Sequence, residues 1–307
     1  MDQSKHIPVL YDEVLELLRP QPGGQYIDGT LGAGGHTTGI LEASAPDGRV
    51  LVFDRDKEAV QFARRRLQSY GERVVFVNAS YAMMNSLAVA NSFTKVKGIL
   101  LDLGLSSRQL ANAVRGFSFM REGPLDMRFD PSLETTAADL INNLNEHELS
   151  AIFERYGEVK RSKRISRFIV ANRPIRTTTE LAELIKAEMG QRGRIHPATQ
   201  VFQALRIAVN DELAELERGI EAAVDVLDPG GRLAIISFHS LEDRIVKHTF
   251  RDLSKDCICP PQQPICTCDN RATVRRVTRR AIKASADEIS SNPRSRSARL
   301  RVVEKLP

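Results

Sequence analysis

Tryptophan is absent from the chain, and aromatic residues make up only 6% of it. A row of rings on which successive bases of a single strand could stack is therefore not visible in the sequence. No apolar stretch approaches the ~20 residues that a bilayer-spanning helix needs. The N-terminus, Met1-Asp2-Gln3-Ser4-Lys5-His6, has no signal-type apolar segment. A soluble cytoplasmic protein, with no membrane partner, is the expectation. Cysteine is scarce too: Cys257-x-Cys259 and Cys266-x-Cys268 flank a turn with Pro260, Pro261 and Pro264. Disulfides are not expected in the cytoplasm. Four thiolates could close a tetrahedral zinc site. The familiar zinc spacing is C-x-x-C, however, and C-x-C is a tighter chelate. Free thiols in a mobile loop are the reading adopted, and no metal is assigned.

The dinucleotide fingerprint G-x-G-x-x-G is also missing. In a register starting at Gly32 the third glycine falls on Thr37, and in one starting at Gly29 the second falls on Leu31. What stands there instead is Tyr26-Ile27-Asp28-Gly29-Thr30-Leu31-Gly32-Ala33-Gly34-Gly35-His36. A β-like run ends in an acid, crosses a glycine-rich turn and enters a helix-compatible stretch from Thr37 to Ala43. Glycines there let backbone approach a ligand that a Cβ would exclude. A second run, Val50-Leu51-Val52-Phe53, ends at Asp54, placed to accept hydrogen bonds from a ribose diol. Asp28 beside the glycines would repel a diphosphate but suits an ammonium and a sulfonium. S-adenosylmethionine is thus the cofactor expected. A nicotinamide or flavin, or a glycine turn with no ligand, remains open.

From residue 25 to residue 103, β-like and helical runs alternate, with further strands at Val74 to Val77 and Gly98 to Leu101, and a helix from Lys57 to Tyr70. This implies an α/β, Rossmann-like parallel sheet that binds ligands at the carboxyl ends of its strands. From about Ser106 to Glu212 only helix signals occur: 136–144, 146–156, 162–172, 179–189 and 197–213. A helix at 215–227, the turn Asp228-Pro229-Gly230-Gly231, a strand at 232–238 and a closing strand at 298–303 resume the sheet. The expected organisation is residues 1–105 and 213–307 as a methyltransferase domain with an inserted all-helical domain at 106–212. The stretch 256–295 is expected to be irregular.

Net charge is only +5, too little to demand a nucleic acid. Its distribution says more. Lys160, Arg161, Lys163, Arg164 and Arg167 form one basic cluster. Arg271, Arg275, Arg276, Arg279, Arg280 and Lys283 form a second, and Arg294, Arg296, Arg299 and Arg301 a third. One such run is usually a solvated face; three beside a cofactor fold suggest a polyanionic substrate.

Methyl transfer needs orientation, desolvation and a proton acceptor. The fourth strand ends at Asp102-Leu103-Gly104, without the Pro-Pro-aromatic motif that often follows such an acid in amine methyltransferases. Asp102 reads as a contact to cofactor or amine, or as an acid bonding loop backbone. In Ser237-Phe238-His239-Ser240-Leu241-Glu242-Asp243, Ser240 is the expected N-cap, with Asp243 three residues on. His239 is then either a loop anchor or a proton shuttle. In the helix after His196, Gln200, Gln203, Arg206 and Asn210 share a face suited to interdomain or substrate contact.

These motifs together resemble the RsmH (MraW) family of S-adenosylmethionine-dependent methyltransferases. The resemblance runs from His6-Ile7-Pro8-Val9-Leu10 through Asp28-Gly29-Thr30, Gly34-Gly35-His36 and Asp102-Leu103-Gly104. It continues through Arg115-Gly116-Phe117-Ser118-Phe119, Gly123-Pro124-Leu125-Asp126-Met127-Arg128, the His196 helix, Ser237 to Lys247 and Asn292-Pro293-Arg294. It implies a class I methyltransferase fold with an inserted helical domain. The activity implied is methylation of the N4 amine of a cytidine in the decoding region of bacterial 16S rRNA, in the small ribosomal subunit. It also implies cofactor contacts at Gly34, Gly35, His36, Asp54, Tyr81, Asp102 and Gln109. Tyr81 stands where members of that family also carry Phe, and either ring stacks on adenine. Asp102 and His239 are the candidate catalytic residues. A DNA or small-amine methyltransferase, or an RNA-binding assembly factor with a vestigial cofactor site, is the competing reading. Oligomeric state, monomer or homodimer, is not legible.

Overall fold

A computed structural model describes residues 8–190, 196–260, 263 and 265–307. His6, Ile7, Pro261 and Pro264, named above, lie outside them. The chain begins with α1 (Tyr11–Leu18), β1 (Gln25–Asp28), α2 (Gly35–Ala43), β2 (Arg49–Phe53), α3 (Lys57–Arg66), β3 (Val74–Val77), α4 (Met84–Ala90) and β4 (Val96–Asp102). Helices follow one another next: α5 (Ser107–Ala111), α6 (Ala137–Asn143), α7 (Glu146–Gly157), α8 (Ser162–Ala171), α9 (Thr178–Met189) and α10 (Ala198–Asn210). The chain ends with α11 (Glu212–Val226), β5 (Leu227–Ser237), α12 (Ser240–Leu253), β6 (Val274–Arg276), α13 (Ala286–Ser291) and β7 (Arg299–Lys305). Two compact units result: Met1–Gly104 with Ala214–Pro307, and Leu105–Leu213. No helix among the described residues is long and apolar enough to cross a membrane.

In the first unit the seven strands of the described residues form one sheet of order β3-β2-β1-β4-β5-β7-β6. Strands β1 to β5 pair in parallel, and β7 runs antiparallel to β5 and β6. The order reverses between β1 and β4, which is the switch point where Rossmann-like sheets take ligands. Side-chain alternation explains why helices cover both faces. Ile27, Leu51, Phe53, Ile99, Leu101 and Leu233 point to one side, onto Met84 of α4, Ile220 of α11 and Phe250 of α12. Tyr26, Val50, Val52, Leu100, Ala234 and Leu300 point to the other, onto Val14 of α1, Ile40 of α2 and Val60 of α3. Each Val, Leu, Ile or Phe among them, at 0–1% exposure in the strands, contributes about 1.5–3 kcal/mol of burial.

Several expected elements differ. The helix expected over 57–70 stops at Arg66 and continues as a 3-10 segment over Gln68–Arg73, broken at Gly71 by φ 56° and ψ −131°. The helix expected over 197–213 ends at Asn210, because Asp211 turns left-handed at φ 52°, and α11 starts at once. Apolar spacing runs across that break, so periodicity alone hides it. Asp228 to Gly231 fall inside β5 as a bulge, since Val96 pairs with Leu227 while Gly98 pairs with Arg232. The stretch expected to be irregular holds β6 and α13; Val274 is buried although its neighbours Arg275 and Arg276 are exposed. An edge strand this short and this charged carries too little alternation to be read.

The second unit has its own core, with Leu149 and Phe153 of α7, Ile165 and Ile169 of α8, Leu181 and Ile185 of α9, and Val201 and Leu205 of α10. Asn145 and Thr177 cap α7 and α9 with reciprocal capping boxes to Glu148 and Glu180.

Candidate active site

The carboxyl edge of the sheet gathers three acids at the tips of adjacent strands: Asp54 after β2, Asp28 ending β1 and Asp102 ending β4. The loop between them is pinned to those strands. Gly29 N–H donates to the Leu100 carbonyl at 2.9 Å, Leu31 N–H to the Phe53 carbonyl at 2.9 Å, and Asp102 N–H to Thr30 Oγ1 at 2.6 Å. Gly34 then takes φ 77° and starts α2, a backbone state that favours glycine. Gly35 has a packing reason of its own, since a Cβ there would lie 2.5 Å from Pro8 Cγ.

Asp28 is held inside the turn. It is 1% exposed, accepting from Thr37 Oγ1 at 2.6 Å and from Thr30 N–H at 3.1 Å. It anchors the turn. Asp54 is different. Its two oxygens accept one backbone N–H each, from Gly32 and Asp56, both at 2.9 Å. That orients the carboxylate and leaves lone pairs for two hydroxyl donors. Burial pushes its pKa up to about 6 despite those bonds.

Asp102 is strongly perturbed as well. Its Oδ1 is buried and meets no hydrogen-bond donor among the described residues. Oδ2 lies 3.6 Å from Nε2 of His36, which is 6% exposed beneath the ring of Tyr11 at 6.1 Å between centroids. Burial, reinforced by the charges of Asp28 and Glu242, pushes the Asp102 carboxyl up to about 8. Asp28 raises the pKa of both Asp54 and Asp102, and an edge of acids repels a phosphate, whereas it attracts a cation. An ammonium and sulfonium fit them, a diphosphate does not, and Asp54 suits a ribose diol.

Tyr81 opens a 3-10 turn after β3 whose cap, Ser80 Oγ, bonds to Glu215 of α11. A Cβ on Gly219 would lie 2.3 Å from Tyr81 Cε2. Gly219 is thus the residue against which the ring is seated, and nothing in the sequence but an unexplained mid-helix glycine marked it.

His239, not Ser240, is the N-cap of α12. Its Nδ1 accepts from Glu242 N–H at 3.4 Å and its Nε2 lies 3.0 Å from Glu242 Oε1. Glu242 Oε2 accepts from the N–H of Phe238 at 2.8 Å and of His239 at 3.2 Å. Nδ1 thus makes the cap, while Nε2, close as it is to Oε1, is buried without a hydrogen bond among the described residues; the cap is the geometry of an anchor. The register H-x-x-E was readable as a capping box, but the adjacent S-x-x-D competed with it. Asp243 instead accepts from Arg299 Nη1 and Arg301 Nε, both at 2.8 Å. Two arginines of the third basic cluster are therefore bound to α12.

In the second unit, Gln109 lies at the third position of α5, where its Oε1 accepts from Ser106 N–H at 3.0 Å. On the polar face of α10, Gln200 is exposed, and its three companions bond within the same unit. Gln203 donates to the Tyr156 carbonyl at 3.1 Å, Arg206 forks onto Glu212 at 2.8 and 2.9 Å, and Asn210 donates to the Met127 carbonyl at 2.7 Å. The Arg115 and Gly123 motifs lock together: Arg115 donates to the Arg128 and Phe129 carbonyls, and a Cβ on Gly116 would lie 2.2 Å from Pro124 O. Lys160, Arg161 and Lys163 are exposed, while Arg164 pairs with Glu188 and Arg167 with Glu146.

The profile of the MraW methylase family matches residues 3–306. The chain belongs to that family. It is 50% identical to a protein of Geotalea daltonii named ribosomal RNA small subunit methyltransferase H, over 100% of both chains. A protein of the same name from Thermomicrobium roseum is 51% identical, over 99% of this chain and 94% of its own. A solved rRNA methylase from Streptococcus thermophilus superposes with a TM-score of 0.43 at 12% identity, covering 97% of this chain and 94% of that one. That superposition is too loose to add to the assignment. As a member of the MraW methylases, the chain is a class I methyltransferase that uses S-adenosylmethionine, in accord with its strand order and its acid-lined edge.

Proposed function

We propose that this chain methylates the N4 amine of one cytidine in the decoding region of 16S rRNA, in the small ribosomal subunit, and does so in the cytoplasm. The partially naked Asp102 at the tip of β4 carries the reading, together with full-length identity near 50% to proteins named for methylating small-subunit rRNA. When bound, S-adenosylmethionine supplies an electrophilic methyl group on a sulfonium. Asp54 holds the ribose diol, and Tyr81 stacks on the adenine. The backbone of Gly34, Gly35 and His36, with Asp102, receives the amino-acid end. Asp102 also faces the incoming amine. A cytosine amine is a weak nucleophile because its lone pair is delocalised into the ring. An acceptor for one N4 hydrogen localises that pair, and a carboxyl with a pKa of about 8 is matched to take the proton. Proton shuttling is not asked of the tip of β5: His239 positions that tip through Glu242. Gln109, whose carbonyl caps α5, is counted with the cofactor contacts through its amide N–H donors. The exposed Lys160, Arg161 and Lys163 supply contacts to phosphates of a folded RNA.

The test is transfer of tritiated methyl to small subunits that lack the endogenous modification, followed by nucleoside analysis. Label on N4-methylcytidine supports the proposal. Label on adenosine or on protein overturns it.

A further inference from the structure

The chain's four cysteines meet at one point in the loop between α12 and β6. Their Sγ atoms all lie within 4.8 Å of one another. Cys266 and Cys268 are 3.5 Å apart, Cys257 and Cys268 3.8 Å, and Cys259 and Cys266 4.0 Å. These are not disulfides, whose sulfurs stand about 2.05 Å apart, and all four thiols are free. Four sulfurs around a tetrahedral zinc, each bonded at about 2.3 Å, would stand about 3.8 Å from one another. We propose that Cys257, Cys259, Cys266 and Cys268 bind one Zn²⁺ as a structural centre.

The objection from C-x-C spacing is met by the path of the chain. Ile258 N–H donates to Cys268 Sγ and Cys259 N–H to Cys257 Sγ, both at 3.4 Å. Each of these bonds turns backbone of the first short arm toward sulfur, as a set of thiolates requires. The foot of the loop is closed by three further bonds. Thr273 N–H donates to the Leu253 carbonyl at 2.9 Å, Asn270 Nδ2 to the Lys255 carbonyl at 2.6 Å, and Ala272 N–H to Asp256 Oδ1 at 3.2 Å. Beyond that foot, two apolar side chains stand in solvent: Ile258 is 62% exposed and Ile265 73%. A metal replaces the hydrophobic core that so short a segment cannot build. Four thiols lose four protons as the cation enters, so the centre carries two negative charges, and Lys255 and Arg271 flank it in sequence. With four protein ligands no position stays open, and the centre is structural rather than catalytic.

The test uses the full chain, purified under reducing conditions without added chelator. Elemental analysis should find about one zinc per chain. The metal should be released by a thiol-reactive mercurial, and cobalt substitution should give thiolate charge-transfer and tetrahedral d–d absorption. The Cys257→Ser, Cys266→Ser double variant should retain less than about a tenth of the metal, with its circular dichroism unchanged outside this loop's small share. Absence of zinc from the unaltered chain, with all four thiols reacting at once with Ellman's reagent, would overturn the proposal. So would disulfides, or equal zinc in the double variant.

Discussion

Asp28, Asp54 and Asp102 are three acids of one type with three different environments. Asp28 is spent on Thr30 and Thr37, Asp54 is aimed by two backbone donors, and Asp102 keeps a buried oxygen without a donor among the described residues. The sequence displayed all three at strand ends, because a parallel strand reads as an apolar run that stops at a polar residue. It could not rank them, because rank depends on which loop donors fold back. Two predictions belong here. Burial holds protons on Asp102 up to about 8 and on Asp54 up to about 6. A cationic, diol-bearing ligand favours both ionised forms, so its affinity should rise with pH through about 6 and again through about 8. Stability without ligand should move the other way. The native state keeps a proton on Asp102 that the unfolded chain releases near its ordinary value of 3.8, so stability falls as pH rises from there through about 8. Thermal denaturation across this window checks the sign, and Asp102→Asn should flatten the upper part of both profiles. Asp54→Ala should weaken S-adenosylmethionine about tenfold or more in calorimetry, the worth of lost bonds to a charged acceptor.

At the scale of elements, helices and strands with strong periodicity were legible, and their joints were not. The parallel strands β2 and β3 declare themselves by unbroken Val, Leu and Phe. The break at Asp211, the bulge at 228–231 and the edge strand β6 depend on backbone states or partners that a pattern does not carry. Gly219 tests this level. In an exposed helix, glycine to alanine gains up to about 1 kcal/mol. Here the added methyl meets Tyr81 at 2.3 Å, so Gly219→Ala should fail to stabilise α11 and should weaken cofactor binding by displacing the ring. Paired melting and titration experiments read both effects. His239→Ala tests the anchor: it should cost about 1 kcal/mol of stability through the lost cap, while single-turnover methylation of bound subunits stays within about threefold. A collapse of turnover with stability intact would instead make His239 a catalytic group.

At the scale of the whole molecule, the sequence displayed an α/β sheet interrupted by helices, and the strand order supplied what alternation could not. The basic clusters were visible as composition, but ion pairs decide which charges remain available. Arg299 and Arg301 are bound to Asp243, whereas Lys160, Arg161 and Lys163 are exposed. Replacing those three by alanine should weaken subunit binding and make its salt dependence shallower by about three counterions, with S-adenosylmethionine affinity unchanged. Underneath all of this lies one claim, that the strand edge is built for a cation and a ribose diol rather than a pyrophosphate. Isothermal titration of the purified chain with S-adenosylmethionine and, separately, with NAD tests it most directly. The account predicts about one S-adenosylmethionine bound per chain, more tightly as pH rises through about 8, and no heat from NAD. Silence with S-adenosylmethionine, or tighter binding of the dinucleotide, would contradict it.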